Sequence, residues 1–186
     1  MHSSFVPLVK KQLRGKSPLI VSVVGFPSGA SAPDAVAFEA SWAVENGAQE
    51  IDMVIPIGLL KANEASRNQE IHMCIQNVVK ASQGALVKVI IETALLNEEE
   101  KSRACKISVQ AGAHFVKTCT GFAGGGATEA DVQLMKSIVG TSIGVKASGG
   151  VRSTEAAIAF LLAGAHRLGT SSGAQLVRNA PVGTGY

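Results

Sequence analysis

A glycine–alanine pair stands just before an apolar, strand-like run at three places along this chain. The pairs are Gly47-Ala48, Gly112-Ala113 and Gly164-Ala165, and each apolar run begins within two residues. Glycine suits the left-handed residue that ends many helices. A helix that leads through a short loop into a buried strand is half of a β/α unit. The repeat therefore predicts a fold in which strands and helices alternate.

Six short runs are predicted to be β-strands. They are apolar without strict alternation, which is typical of parallel strands covered on both faces. Their predicted bounds are Leu19–Gly25, Glu50–Ile55, Val87–Thr93, His114–Thr118, Ile143–Ala147 and Arg167–Thr170. Helices are predicted between them, with a further one over Phe5–Arg14. Right-handed crossovers allow two α/β architectures for this pattern, an open doubly wound sheet or a barrel.

Composition limits the function classes. With 186 residues, of which 46% are hydrophobic and 17% charged, residues 1–186 are expected to form one soluble domain. The basic cluster near the start lacks interleaved aromatic residues, so nucleic acid is not an expected partner. No apolar run reaches the about 18 residues that span a bilayer, so no membrane partner is expected. Three cysteines without metal-ligand spacing favour a reducing cytoplasm and no metal site.

Two lysines each end a strand-like run and are followed at once by small residues. Lys117 ends one run and Lys146 another, in successive β/α units. A single lysine in this position commonly extends to solvent or forms an ion pair. Burial or a second cation, however, turns a lysine into a nucleophilic amine. Two such lysines, each able to supply the other's cation, predict Schiff-base chemistry on a carbonyl substrate.

Two carboxylates lie in or at the end of apolar strands. Asp52 lies inside the second predicted strand, where a buried carboxylate requires a partner. It either exchanges protons near the lysines or binds backbone amides or a structural cation, and the strand pattern alone leaves both open. Glu92 ends the third strand, and we expect it to support the site rather than to react.

Three loops that follow strands are candidates for binding an anion. They span Thr120–Gly126, Ser148–Arg152 and Gly169–Gly173. Glycines let backbone N–H groups approach a phosphate closely. In eight-stranded β/α barrels the phosphate site often lies after the last two strands. Ordinary tight turns remain the alternative for each loop taken alone.

Six motifs together resemble the deoxyribose-phosphate aldolase family. They are Val24–Pro27, Glu50–Val54, Val89–Thr93, Val116–Phe122, Gly144–Gly150 and Gly169–Gly173, in the order and spacing of that family. The resemblance implies a (β/α)8 TIM barrel and a class I aldolase that uses neither metal nor cofactor. It also implies reversible cleavage of 2-deoxy-D-ribose 5-phosphate to D-glyceraldehyde 3-phosphate and acetaldehyde, so a small phosphosugar is the expected partner.

The resemblance assigns a role to three of the residues above. Lys117 matches the lysine that forms the Schiff base. Lys146 matches a second lysine, whose charge favours the neutral, nucleophilic form of the first. Asp52 matches the aspartate of the proton relay. Tyr186 is expected near the substrate, as is the C-terminal tyrosine of some family members.

The resemblance also assigns a phosphate site to the last two loops. The matching residues are Gly149, Gly150, Ser171 and Ser172. Cys119 stands where serine is common in the family, which is a mild departure.

The start of the chain departs from the family pattern. Two strands that precede the Phe5–Arg14 helix in the family are not found, so six strands are expected where a barrel has eight. The strands at 19–25 and 167–170 are then expected to be unpaired edges. Unpaired edges favour instability, aggregation or a homo-oligomer.

Three further functions remain open beside an active deoxyribose-phosphate aldolase. The chain could be a different Schiff-base aldolase of phosphorylated sugars, a phosphosugar-binding or interaction protein without catalysis, or a compromised fragment. Turnover of deoxyribose 5-phosphate distinguishes an active deoxyribose-phosphate aldolase from these three alternatives.

Overall fold

A computed structural model describes residues 1–62 and 64–178. Within these residues six strands alternate with eight α-helices. The strands are β1 (Val21–Val24), β2 (Glu50–Val54), β3 (Leu86–Ile90), β4 (Phe115–Lys117), β5 (Gly144–Ser148) and β6 (Arg167–Gly169). The helices are α1 (Val6–Gln12), α2 (Pro33–Glu45), α3 (Ile57–Lys61), α4 (Ala65–Ala81), α5 (Glu98–Gln110), α6 (Glu129–Val139), α7 (Thr154–Leu162) and α8 (Gly173–Val177). Short 3₁₀ turns occupy Ser3–Phe5 and Thr93–Leu95.

The strands form one parallel sheet in the order β1-β2-β3-β4-β5-β6. The order never reverses, so the doubly wound alternative is wrong and the barrel alternative is confirmed. Asp52 on β2 and Lys146 on β5 lie three strands apart, which in a flat sheet is about 14 Å. Their side chains nevertheless meet at 2.9 Å. The sheet therefore curls, and side chains on its concave face converge.

The two faces of the sheet carry different chemistry. On β2, Ile51 and Met53 belong to the apolar core together with Ile71 and Ile75 of α4. Glu50 and Asp52 alternate with them and are almost fully buried. Because successive residues of a strand point to opposite faces, the carboxylates occupy the concave interior.

Local signals explain where several helices begin. α5 begins at Asn97, whose Oδ1 accepts the Glu100 N–H at 2.9 Å, while the Glu100 carboxylate accepts the Asn97 N–H at 2.9 Å. The sequence predicts this reciprocal cap. At the starts of α6 and α7 the cap is a single hydrogen bond: the Thr128 hydroxyl accepts the Asp131 N–H at 3.0 Å, and the Ser153 hydroxyl accepts the Ala156 N–H at 3.1 Å. These caps fix where α6 and α7 begin. They therefore also fix the ends of the loops that connect β4 to α6 and β5 to α7.

The predicted edge at 19–25 is partly covered, which corrects the sequence expectation. Met1 and His2 lie along β1, where the Val23 N–H donates to the Met1 carbonyl at 2.8 Å. The Met1 amino group donates to the Val21 carbonyl at 3.1 Å. β6 pairs with β5 on one side, and no other strand of the described residues pairs with its second side.

Candidate active site

Two lysines and one aspartate converge inside the curled sheet, with Lys117 at the carboxyl end of β4, Lys146 within β5 and Asp52 within β2. Lys117 and Lys146 are register partners on neighbouring strands. The Nζ atom of Lys117 lies 2.8 Å from Oδ2 of Asp52, and that of Lys146 lies 2.9 Å from the same oxygen. All three predicted catalytic residues therefore meet at one carboxylate oxygen, and Asp52 lies beside the lysines rather than at a separate structural site.

A third lysine lies beneath this group and was not predicted. Lys88 of β3 is fully buried, and its Nζ atom lies 2.9 Å from Oδ1 of Asp52 and 2.6 Å from Oε2 of Glu50. Arg167 of β6 donates to the same Glu50 oxygen at 2.6 Å. The sequence signal was available, because a lysine at the centre of the apolar run 86–90 is rarely buried without a partner.

The charges of this network perturb the protonation of its members. Burial by itself disfavours the charged form of Asp52, but Lys117, Lys146 and Lys88 outweigh it and hold the pKa of Asp52 well below its usual value. Burial lowers the pKa of Lys146; attraction to Asp52 opposes this effect, and repulsion from Lys117 adds to it. Asp52 is therefore an anion in the site, and Lys146 releases its proton more readily than an exposed lysine.

The count of charges favours a neutral amine in the network. Four cationic groups contact two carboxylates among the described residues. Like charges at this separation disfavour one another, so one lysine of the group loses its proton most easily. Because such groups titrate together, this property belongs to the cluster rather than to a single residue.

The ends of β4 and β5 are held together by a pair of hydrogen bonds. Oγ1 of Thr118 donates to the Ser148 carbonyl at 2.8 Å and accepts the Ser148 N–H at 2.9 Å. Oγ of Ser148 donates to the Cys119 carbonyl at 2.7 Å. These contacts fix the register in which Lys117 and Lys146 stand side by side.

A cleft of about 670 Å³ opens above the lysines at the carboxyl ends of the strands. It is lined by both lysines and by all four residues that the sequence assigned to phosphate binding. Those four are Gly149, Gly150, Ser171 and Ser172. Arg152 and Thr120, which belong to two of the loops predicted to bind an anion, line the same cleft and add polar groups to it.

Backbone geometry shapes the loop that follows β5. Gly149 and Gly150 have φ values of +83° and +77°, which other residues rarely adopt. A Cβ atom at Gly149 would lie 3.1 Å from Cα of Gly126, so the loops after β4 and β5 touch there. Thr170 links the last loop to this one, since its hydroxyl donates to the Val151 carbonyl at 2.8 Å. The three predicted anion-binding loops therefore form one continuous rim.

The remaining candidates lie around the site or outside the described residues. Glu92 is buried beside Thr120, as expected for a supporting role. Burial raises the pKa of the Cys119 thiol, which disfavours the nucleophilic thiolate form. Tyr186 lies outside the described residues. Within them, no helix has the length and apolarity to cross a membrane, and no group of His, Cys, Asp and Glu is placed to hold a metal ion.

Comparisons with known proteins agree with this geometry. The family model described as "DeoC/LacD family aldolase" matches residues 1–181. A deoxyribose-phosphate aldolase of Bdellovibrio bacteriovorus is 51% identical over 186 residues, covering 100% of this chain and 83% of the relative. Another, from Thermotoga maritima, is 53% identical over 178 residues, covering 96% and 71%.

Solved structures show the same fold. An aldolase named QR15 has a TM-score of 0.89 and 38% identity, covering 95% of this chain and 78% of its own. A tetrameric deoxyribose phosphate aldolase from Aeropyrum pernix has a TM-score of 0.86 and 30% identity, covering 95% and 74%. The curled parallel sheet, the family-model match over most of the chain and relatives at about half identity lead to one conclusion. This chain belongs to the DeoC/LacD family of aldolases.

Proposed function

We propose that this chain is a deoxyribose-phosphate aldolase. It cleaves 2-deoxy-D-ribose 5-phosphate reversibly to D-glyceraldehyde 3-phosphate and acetaldehyde through a lysine Schiff base. The observation that carries the proposal is the sharing of one Asp52 oxygen by Lys117 and Lys146 at the base of an open cleft. Relatives that carry this name and are 50–53% identical support the choice of substrate.

The first step forms a covalent bond to Lys117. Its Nζ attacks the aldehyde carbon C1 of the open-chain sugar, and loss of water leaves a protonated imine. Lys117 is suited to this role because it ends β4 at the cleft and its side chain keeps 10% exposure. Lys117 and Lys146 contact the same Asp52 oxygen, and repulsion between like charges disfavours protonation of both amines at once.

The second step breaks the C2–C3 bond. A base removes the proton of the C3 hydroxyl, C3 becomes the aldehyde carbon of D-glyceraldehyde 3-phosphate, and the bond's electron pair forms an enamine with the imine nitrogen. Protonation at C2 and hydrolysis then release acetaldehyde and the free amine. We assign these proton transfers to Asp52 and Lys146, which lie 2.9 Å apart. The lowered pKa of Lys146 suits a group that releases and takes up protons more readily than an exposed lysine.

The phosphate of the substrate is assigned to the loops after β5 and β6. Gly149, Gly150, Ser171 and Ser172 line the cleft on the side of these loops, and Arg152 adds a guanidinium group there. The backbone N–H groups of a glycine-rich turn are suitable hydrogen-bond donors to a phosphate, and so are serine hydroxyl groups. This assignment places the phosphate at one end of the cleft and the aldehyde carbon at Lys117.

We also infer that the enzyme acts in the cytoplasm on free phosphosugars and assembles with copies of itself. The three cysteines are free and buried, which suits a reducing compartment. The tetrameric relative from Aeropyrum pernix supports self-assembly.

Borohydride trapping tests the proposal. Reduction in the presence of acetaldehyde is expected to leave a stable adduct on the peptide that contains Lys117, and the parent chain is expected to cleave 2-deoxyribose 5-phosphate. Lys117→Ala is expected to abolish both, whereas Lys80→Ala, which changes an exposed lysine of α4, retains both. Saturable binding of the phosphosugar without cleavage or trapping would instead indicate a binding protein. Cleavage confined to other phosphosugars would reject the substrate.

A further inference from the structure

Glu92 has a backbone conformation that is rare for its residue type. It lies two residues beyond β3, with φ of 47° and ψ of 64°, in the left-handed region that favours glycine. Its side chain is also almost fully buried, with 1% exposure. Strained residues of this kind persist only where surrounding contacts hold them, and they cluster at functional sites. The contacts of Glu92 therefore indicate what the strain supports.

The carboxylate of Glu92 holds the loop that follows Lys117. Oε2 of Glu92 accepts the Thr120 N–H at 3.2 Å, and it also accepts the hydroxyl proton of Thr120. Oγ1 of Thr120 in turn accepts the Phe122 N–H at 3.0 Å. The adjacent Thr93 N–H donates to the Thr118 carbonyl at 2.9 Å. The segment after β3 is thus bound to the segment after β4 along several residues.

This arrangement orients the Thr120 hydroxyl. A hydroxyl group has one proton to donate and two lone pairs to accept with. The proton of Thr120 points to Glu92, and one lone pair receives the Phe122 N–H. The second lone pair can accept a further hydrogen bond on the side of the cleft, which Thr120 lines together with Lys117. This acceptor suits a hydroxyl of the substrate and not a group that can only accept.

We propose that Glu92 is a positioning residue of the aldolase site. It fixes Thr120 as a hydrogen-bond acceptor for a hydroxyl of the bound sugar and orders the loop between Lys117 and Phe122. The proposal rests on the proposed function, because it presumes a polyhydroxy substrate in this cleft. The hydrogen bonds of the Glu92 carboxylate described above go to Thr120 and not to the lysines or Asp52. Imine formation with a two-carbon aldehyde is therefore independent of Glu92.

The test compares Glu92→Gln, Thr120→Val, their double variant and Thr120→Ser. Each of the first two is expected to lower kcat/KM for 2-deoxyribose 5-phosphate about tenfold, the effect of losing a hydrogen bond to a charged group. The double variant is expected to be no worse than either single variant, because both remove the same interaction. Thr120→Ser keeps the hydroxyl and should retain most of the activity. Trapping of acetaldehyde on Lys117 should match the parent in all four.

Glu100→Gln is the matched control. Glu100 is also a buried glutamate whose carboxylate accepts a backbone N–H, but it lies in the cap of α5. This change is expected to lower the thermal midpoint and leave kcat/KM unchanged. Losses in the Glu92 and Thr120 variants that multiply to about 100-fold, or acetaldehyde trapping that falls in parallel with cleavage, would overturn the proposal.

Amide hydrogen exchange without substrate separates this inference from the proposed function. In Glu92→Gln the amides of Thr120 and Phe122 are expected to exchange at least about tenfold faster, and in Glu100→Gln they should exchange as in the parent. If the parent cleaves no phosphosugar, the proposed function fails, and exchange alone then decides whether Glu92 orders the loop. Unchanged exchange in Glu92→Gln overturns the inference.

Discussion

At the residue scale, the buried position of Lys146 lowers the stability of the folded protein and makes its amine lose a proton more readily. Its side chain is 12% exposed, and burial together with the charge of Lys117 lowers its pKa below the usual 10.5, although Asp52 attracts it. The folded protein therefore binds this proton less tightly than the unfolded chain does. Below the lowered pKa both states carry the proton and the folded state bears the whole penalty. The penalty disappears as the pH rises from that value towards 10.5.

We therefore expect Lys146→Met to make the protein more stable and less active. Removal of a buried cation that lies beside two other lysines should raise the free energy of unfolding at pH 7 by about 1 kcal/mol. The gain should shrink as the pH rises towards 10.5, because the parent then loses its penalty. Cleavage should fall about 100-fold, as expected for loss of a group that transfers protons.

Denaturant unfolding at several pH values measures this effect, with Lys80→Met as a control on the surface of α4. The control should change neither stability nor its pH dependence. A Lys146→Met variant that is less stable than the parent at pH 7 would show that the ion pair with Asp52 outweighs the cost of burial.

At the scale of secondary-structure elements, the contact between the ends of β4 and β5 determines how the two lysines face each other. β4 has only three residues, so few ladder hydrogen bonds fix its position. The hydroxyl of Thr118 adds two hydrogen bonds to the backbone of Ser148 directly beyond the paired residues Lys117 and Lys146. A side chain here replaces the ladder bonds that a longer strand would make.

Thr118→Val is expected to reduce both stability and kcat. Valine has nearly the same shape as threonine but lacks the hydroxyl. The substitution therefore leaves the N–H and carbonyl of Ser148 without these hydrogen-bond partners. The expected loss in the free energy of unfolding is about 2 kcal/mol. Thr118→Ser should recover most of both quantities, because it keeps the hydroxyl. Thermal unfolding and steady-state kinetics measure the result, and a Thr118→Val enzyme with parental kcat would contradict the role of this pair in aligning the lysines.

The elements could be predicted from the sequence more completely than the contacts between them. Strand and helix periodicity and the capping residue Asn97 are local, so all six strands and the α5 cap were found. Strand ends were predicted one to three residues too long in several cases, because apolar residues continue into buried loops. Lys88 and the left-handed Glu92 were missed or left unspecified, because their partners come from other strands and loops. Only the curl of the sheet brings those partners together.

At the scale of the whole molecule, the two edge strands of the sheet, β1 and β6, differ in how far they are covered. The free side of β1 carries Met1 and His2 along part of its length, whereas β6 has a free side within the described residues. α7, which packs beside β6, exposes Ile158, Leu161 and Leu162 by 51%, 48% and 84%. Residues at this spacing lie on one face of a helix, so they form a contiguous apolar surface next to an unpaired strand edge.

We expect this surface to drive self-association of the chain. Leu162→Glu places a charge at its most exposed position and should lower the average mass in solution, measured by light scattering at tens of micromolar. Phe38→Glu is the matched control, because Phe38 on α2 is 70% exposed but lies away from α7. The cleft lies at the carboxyl ends of the strands, so Leu162→Glu should leave trapping of acetaldehyde on Lys117 unchanged. A parent chain that is monomeric at these concentrations, or a mass that falls equally with Phe38→Glu, would show that the α7 face is not where the copies meet.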